Sequence, residues 1–293
     1  MKSKLFKIIG MSLVGFVGLL FVCFAIYVIL FYPQKAESFE IIAANPTKKI
    51  LIATQGSDFK NTLTKILCDS LKKEHIYIRG IDVRDLAEVN HEDWDRILII
   101  NSFIIQLNKN VNGIISSTHA PEKILLFVTS GGADWQPPSQ FKVDALTSAS
   151  KKVYINDLVH MINNWMAKEN DQKWEPDDYL LALRYIPQVD VKTACETIAL
   201  EQQRYQSLYP NLVELINRIG YQYLRLNDVS SALKVFRLNI SLFPHSWNVY
   251  DSYGEALLAN GNRESAIRNY QKALELNPES KSANEKLEKL GKE

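Results

Sequence analysis

Serine and lysine spaced as nucleophile and base are the first residues to weigh. Ser57 with Lys60, and Ser148 with Lys151, stand in the S-x-x-K spacing that lets a lysine amine take a serine proton during acyl transfer. In a chain this rich in both residues such spacings arise by chance, and the companion motifs that complete such a site are absent. No Walker loop, G-x-S-x-G elbow, G-x-G-x-x-G turn, H-E-x-x-H pair or C-x-x-C pair occurs. His75, His91, His119, His160 and His245 are scattered without a helical pair, so no metal set emerges. Cys23, Cys68 and Cys195 lie far apart and read as buried thiols rather than a disulfide framework. The acids of Glu88–Asp95 (EVNHEDWD) read as a solvated connection. The sequence therefore assigns no catalytic residue and no metal ligand.

Residues 48–168 show the elements that could position a binding site. KKILIAT (Lys48–Thr54), HIYIRGIDV (His75–Val83), DRILIINSF (Asp95–Phe103) and KILLFVTSGG (Lys123–Gly132) are apolar, β-rich runs, and VDALTSAS (Val143–Ser150) suits a fifth strand. Helical patterns follow at NTLTKILCDSLKK, around Gln106–Ser117 and over Val153–Lys168. Continuous apolar strands alternating with helices predict a parallel sheet covered on both faces. Their order and loop lengths resemble the flavodoxin-like α/β fold. In such sheets ligands sit beyond the carboxyl ends of the strands. The resemblance puts TQGSDFKNT where that family holds the FMN phosphate with hydroxyls, amides and a helix N-terminus, so Thr54, Ser57, Asn61 and Thr62 are the matching types. The loop TSGGADW adds Thr129, Ser130, Gly131 and Gly132 for close backbone approach and Trp135 as a ring-stacking partner. Two departures stand against FMN. The family's compact Thr/Ser-x-Thr-Gly-x-Thr is not reproduced, and Asp58 puts a negative charge where phosphate would sit.

The C-terminal third repeats itself. Gly220 and Gly254 are 34 residues apart, as are Ala232 and Ala266, Phe236 and Tyr270, and Pro244 and Pro278. The glycines and alanines let paired helices approach closely, the aromatic residues fill the layer between units, and the prolines stop the second helix. This closely resembles the tetratricopeptide repeat (TPR) family of helix–turn–helix units, with Asn239 standing where the pattern prefers alanine. A helix over 193–209 reads as half of a degenerate preceding unit, and KSANEKLEKLGKE as a polar capping helix. In that family the concave face receives a peptide or a partner's helix. By position it implies Glu214, Asn217, Tyr221 and Arg225, then Asn248, Asp251, Glu255 and Ala259, as partner-binding residues. Self-association of the array is the competing use. FPHSWNVYDSYGEALLANGNRESAI also resembles the tail appended to some bacterial serine hydrolases, which implies a bacterial source.

Ahead of both regions, Ile8–Tyr32 is an uncharged apolar run of 25 residues, long enough at 1.5 Å per residue to cross a bilayer. Lys2, Lys4 and Lys7 precede it, which predicts a cytoplasmic N-terminus with the rest exported to the periplasmic or extracellular side. A net charge of +1 gives no electrostatic case for nucleic acid. The expected organisation is a cytoplasmic end (1–7), a membrane helix (8–32), a linker (33–47), the α/β domain (48–168), a linker (169–192) and TPR repeats (193–293). The apolar residues of the second linker, WEPDDYLLALRYIPQ, are expected to dock the repeats on the α/β domain. Function on this reading is that of a membrane-anchored adaptor rather than an enzyme. Alternatives are an FMN-binding electron carrier whose repeats hold the redox partner, or a sensor of another small anion.

Overall fold

Apolar runs too short for helices and bounded by turn residues fold here into one sheet. The computed structural model describes residues 18–22, 34–72, 75–103, 107–130, 135–169 and 172–291. Strands β1 (Phe39–Ile42), β2 (Lys48–Thr54), β3 (Ile76–Asp82), β4 (Arg96–Ser102), β5 (Ile124–Ser130) and β6 (Asp144–Ala149) lie in the order β1-β3-β2-β4-β5-β6. Strands β2 to β6 are parallel, so among themselves they follow a 2-1-3-4-5 order, and β1 joins β3 antiparallel. The sheet reverses its winding between β2 and β4.

Helices α1 (Asp58–Leu71) and α3 (Ile155–Ala167) cover one face, where Leu63, Leu67, Leu158 and Ile162 meet Ile50, Ile52, Leu98 and Phe127. Helix α2 (Lys109–Ser117) and a 3-10 turn at Val83–Glu88 cover the other, over Leu51, Ile97, Ile99 and Val128. Burial on both faces is why these strands carry no alternation. The fifth strand and the last helix fall where the sequence predicts them. The connections β3–β4 and β5–β6 carry no α-helix among the described residues.

Two elements sit inside segments expected to be linkers. Strand β1 is four residues long at a sheet edge, too short to give a periodic signal, and Phe39 is seated on β3. A Cβ added at Gly80 would lie 2.0 Å from the Phe39 ring, so any side chain there would displace that ring from β3. Helix α4 (Tyr179–Tyr185) begins at Asp178, whose carboxylate accepts from the Leu180 and Leu181 amides.

The remaining helices are α5 (Val191–Leu200), α6 (Gln202–Leu208), α7 (Leu212–Arg225), α8 (Val229–Leu242), α9 (Trp247–Ala259), α10 (Arg263–Leu276) and α11 (Lys281–Gly291). The expected single helix over 193–209 is interrupted at Glu201. The 34-residue period reappears as geometry. Asn227 and Gly261 are both left-handed at the turns closing α7 and α9, with φ of 59° and 74°. The next amides, of Asp228 and Asn262, return to the Tyr223 and Leu257 carbonyls. Asp228 and Asn262 then cap α8 and α10 by accepting from the Ser231 and Ser265 amides. A Cβ on Gly220 would stand 2.5 Å from the Phe236 ring, and one on Gly254 2.6 Å from the Tyr270 ring. Asn239 is fully buried and donates to the Val213 carbonyl at 2.9 Å, which replaces the expected alanine with a polar tie.

Of the apolar run Ile8–Tyr32, residues 18–22 are helical and exposed, and the rest lies outside the described residues. Among the described residues no helix is long and apolar enough to cross a membrane.

Candidate functional site

The turn after β2 is built by its own chain. Gly56 exchanges both backbone hydrogen bonds with Gln34, at 2.8 and 3.1 Å, and a Cβ on Gly56 would come within 2.9 Å of the Lys35 carbonyl. The Ala36 amide donates to Asp82 at the end of β3. Ser57 caps α1 by accepting from the Lys60 amide, and the Thr62 hydroxyl donates to the Asp58 carbonyl. Thr54, Gly56 and Asn61 line a cavity of about 520 Å³ with Thr64 and the segment 34–37. Asp58 is exposed and pairs with Lys152 at 2.8 Å.

These observations do not fit a flavodoxin-type phosphate loop. The Gly56 and Lys60 amides are occupied internally, and a carboxylate stands at the helix start. Trp135 is 5% exposed, packed in the sheet core with its ring 6.3 Å from Phe103, so no indole face is presented for stacking. Thr129 and Ser130 are buried at the end of β5, and Gly131 and Gly132 lie outside the described residues. Two amides of the expected FMN loop, those of Gly56 and Lys60, are thus taken by the chain itself, which weighs against phosphate held there in the flavodoxin manner.

Three residues outside the expected cofactor-binding set meet where the winding reverses. Lys60 is 2% exposed, and its Nζ donates to Ser102 Oγ at 2.5 Å and to Gln55 Oε1 at 3.2 Å. Gln55 Oε1 also accepts from the Ser102 amide at 2.7 Å, and Ser102 Oγ lies 3.4 Å from Thr129 Oγ1. Lys60 pairs with no carboxylate among the described residues. Burial holds its ammonium well below the ordinary lysine range, at about 8. The S-x-x-K spacing singles out Lys60, but its partner is Ser102, on β4, which no local spacing could reveal.

On the repeats, the expected concave residues separate into two groups. Glu214, Arg225 and Ala259 are exposed, and Asn217, Tyr221 and Asn248 are half-buried. The Tyr221 hydroxyl donates to Ser252, and burial raises its pKa. Asp251 and Glu255 are engaged by the chain. Lys286 of α11 donates to both, and Ser282 donates to Asp251 at 3.0 Å. As open partner contacts these two are corrected: the capping helix is polar in sequence, but its lysine lies over the carboxylates of α9. Tyr221 and Arg225 line a groove of about 970 Å³ between the repeats and the α/β domain. Its other walls include Lys151, Arg184 and Arg218, with Asp157 opposite. Asp157 is held by Arg184 at 3.6 Å and by the Tyr185 hydroxyl at 2.9 Å.

Residues 247–280 match the family model of the tetratricopeptide repeat. Over 63 residues the chain is 36% identical to the Superkiller complex protein 3 of Homo sapiens, a match covering 22% of this chain and 4% of that protein. The first TPR of Spaghetti (RPAP3), solved bound to the HSP90 peptide SRMEEVD, is 22% identical. It covers 35% of this chain and 88% of its own, with a TM-score of 0.27. The crystal structure of MamA is also 22% identical over 34% of this chain and 59% of its own, with a TM-score of 0.27. The C-terminal region thus carries a tetratricopeptide repeat, preceded by a mixed α/β region.

Proposed function

We propose that this protein is a membrane-anchored adaptor whose C-terminal repeats hold a protein partner beside its own α/β domain. The observation that carries the reading is the groove lined by Tyr221 and Arg225 of α7, which the chain leaves open against Arg184 and Lys151. Arginine and tyrosine are the residue types that anchor protein interfaces. Membrane attachment rests on the uncharged run Ile8–Tyr32 and the lysines before it, and the proposal has the N-terminus cytoplasmic and the folded domains outside. We read the α/β domain as flavodoxin-like, supported by the 2-1-3-4-5 order of its parallel strands. The engaged Gly56 and Lys60 amides, with Asp58 at the helix start, favour a scaffold over an electron carrier.

Photo-cross-linking residues placed in the full-length protein test the reading. Introduced at Glu214, Asn248 or Ala259 they should yield one common adduct, and at the exposed positions Lys234 and Gln271 of the outer helices none. Charge reversal at Arg225→Glu should weaken capture by about tenfold. The same adducts from both groups of positions would sink the assignment.

A further inference from the structure

We infer that Lys60, Gln55, Ser102 and Thr129 form a binding site for a phosphate group at the point where the sheet reverses between β2 and β4. The four come from three strand ends and one helix, so the fold itself assembles them. Lys60, Gln55 and Ser102 each carry a side-chain donor, Thr129 donates its hydroxyl to the Asn101 carbonyl at 3.5 Å, and among the described residues no carboxylate joins them. Gln55 fixes the direction. Its Oε1 accepts from both Lys60 Nζ and the Ser102 amide, so its amide nitrogen is turned away from them with both protons free. Lys60 has three protons and spends two on these neighbours. Ser102 and Thr129 add hydroxyls 3.4 Å apart. Gln55 and Ser102 are half-buried, which leaves the cluster reachable from solvent, while Lys60 and Thr129 are closed in behind them.

A buried ammonium without a counter-charge is costly, and a neutral serine and amide do not neutralise it. An oxyanion would. A phosphate group suits the set because it offers several acceptor oxygens to an ammonium, the Ser102 hydroxyl and the Gln55 amide at once. Gln55 and Lys60 belong to the loop after β2 and the first turn of α1, but the site uses their side chains with those of β4 and β5 rather than the loop amides that hold a flavin phosphate. It is independent of the repeat face: loss of partner capture leaves it standing, and the reverse holds too.

The test is thermal unfolding and calorimetric titration of the full-length protein with inorganic phosphate, AMP and FMN, alongside Lys60→Met and Ser102→Ala. Saturable binding of phosphate, weakened about tenfold or more by Lys60→Met, is the expected result. Binding of phosphate alone assigns the free ion. Binding of AMP and FMN as well assigns the phosphoryl group of a larger ligand. A response to FMN alone would locate binding in the ring and overturn the proposal. So would phosphate effects equal in the wild type and in Lys60→Met, or no binding by any of the three. Lys60→Met removes a buried charge and should fold, and its intact unfolding transition is the control.

Discussion

Lys60 makes a measurable demand on the fold. Its ordinary pKa is 10.5, and burial brings it to about 8 in the folded chain. Below pH 8 both states are protonated, but the folded state holds the proton less tightly, which costs roughly 3 kcal/mol at about 1.4 kcal/mol per pH unit. Between pH 8 and 10.5 the folded state is neutral while the unfolded state still binds a proton, so this cost is relieved as pH rises. Lys60→Met should therefore be more stable than the wild type near neutral pH by up to roughly 3 kcal/mol, less the lost bonds to Gln55 and Ser102. The advantage should disappear above pH 10.5. Urea melts at several pH values measure it, and an advantage that does not shrink with rising pH would refute the burial argument. This residue also marks how far a sequence can be read at single-residue scale. The lysine stands in a motif with Ser57, but the contact with Ser102 spans 42 residues and depends on strand order.

At the scale of elements, the legible features are those set by period and punctuation. The 34-residue repeat fixes the turns, because Asn227 and Gly261 must be left-handed and Asp228 and Asn262 must cap the next helix of each unit. Strand β1 is hidden, since four edge residues carry no period, and so is α4, whose seven residues split their apolar side chains between two cores. The capping helix is legible as a helix but not as a clamp. Lys286 is one charge among many in KSANEKLEKLGKE, and only packing sets it over Asp251 and Glu255. The Asp251 side chain is 7% exposed, so Lys286→Ala would leave its carboxylate buried with Ser282 as the remaining partner. The expected cost is about 2–4 kcal/mol, local to α11 and the end of the array. Hydrogen exchange reads it directly: amides of α11 should open faster while those of β4 and β5 are unchanged. Unaltered exchange in α11 would show that apolar packing of Ala283 and Leu290, not the clamp, holds the cap.

For the whole molecule the decisive element is α4. Leu181, Ala182 and Tyr185 pack into the sheet core with α1 and α3, while Leu180 and Leu183 pack into the core of the repeats. The Tyr223 hydroxyl donates to the Leu183 carbonyl, and Gln222 donates to that of Arg184, so α7 grips the same helix. Arg184 lies 4.4 Å over the Tyr154 ring and 5.0 Å over that of Tyr185, and Tyr185 donates to Asp157. A helix shared by two cores makes each domain's melting depend on the other's, so the α/β domain and the repeats should unfold in one calorimetric transition. Tyr185→Ala removes the ring, the Asp157 bond and one stacking partner of Arg184 together, a loss of about 3–5 kcal/mol by analogy with large buried aromatic residues. The removed contacts lie on the sheet side of α4, so the α/β domain should melt first and the repeats later, giving two resolved transitions. The groove bounded by α4, α7 and the end of β6 would then lose its fixed walls, and partner capture should weaken even though no groove arginine has changed. One transition shifted as a whole would mean that the remaining contacts of α4 suffice to couple the domains. Two transitions already in the wild type would mean that α4 does not couple them at all.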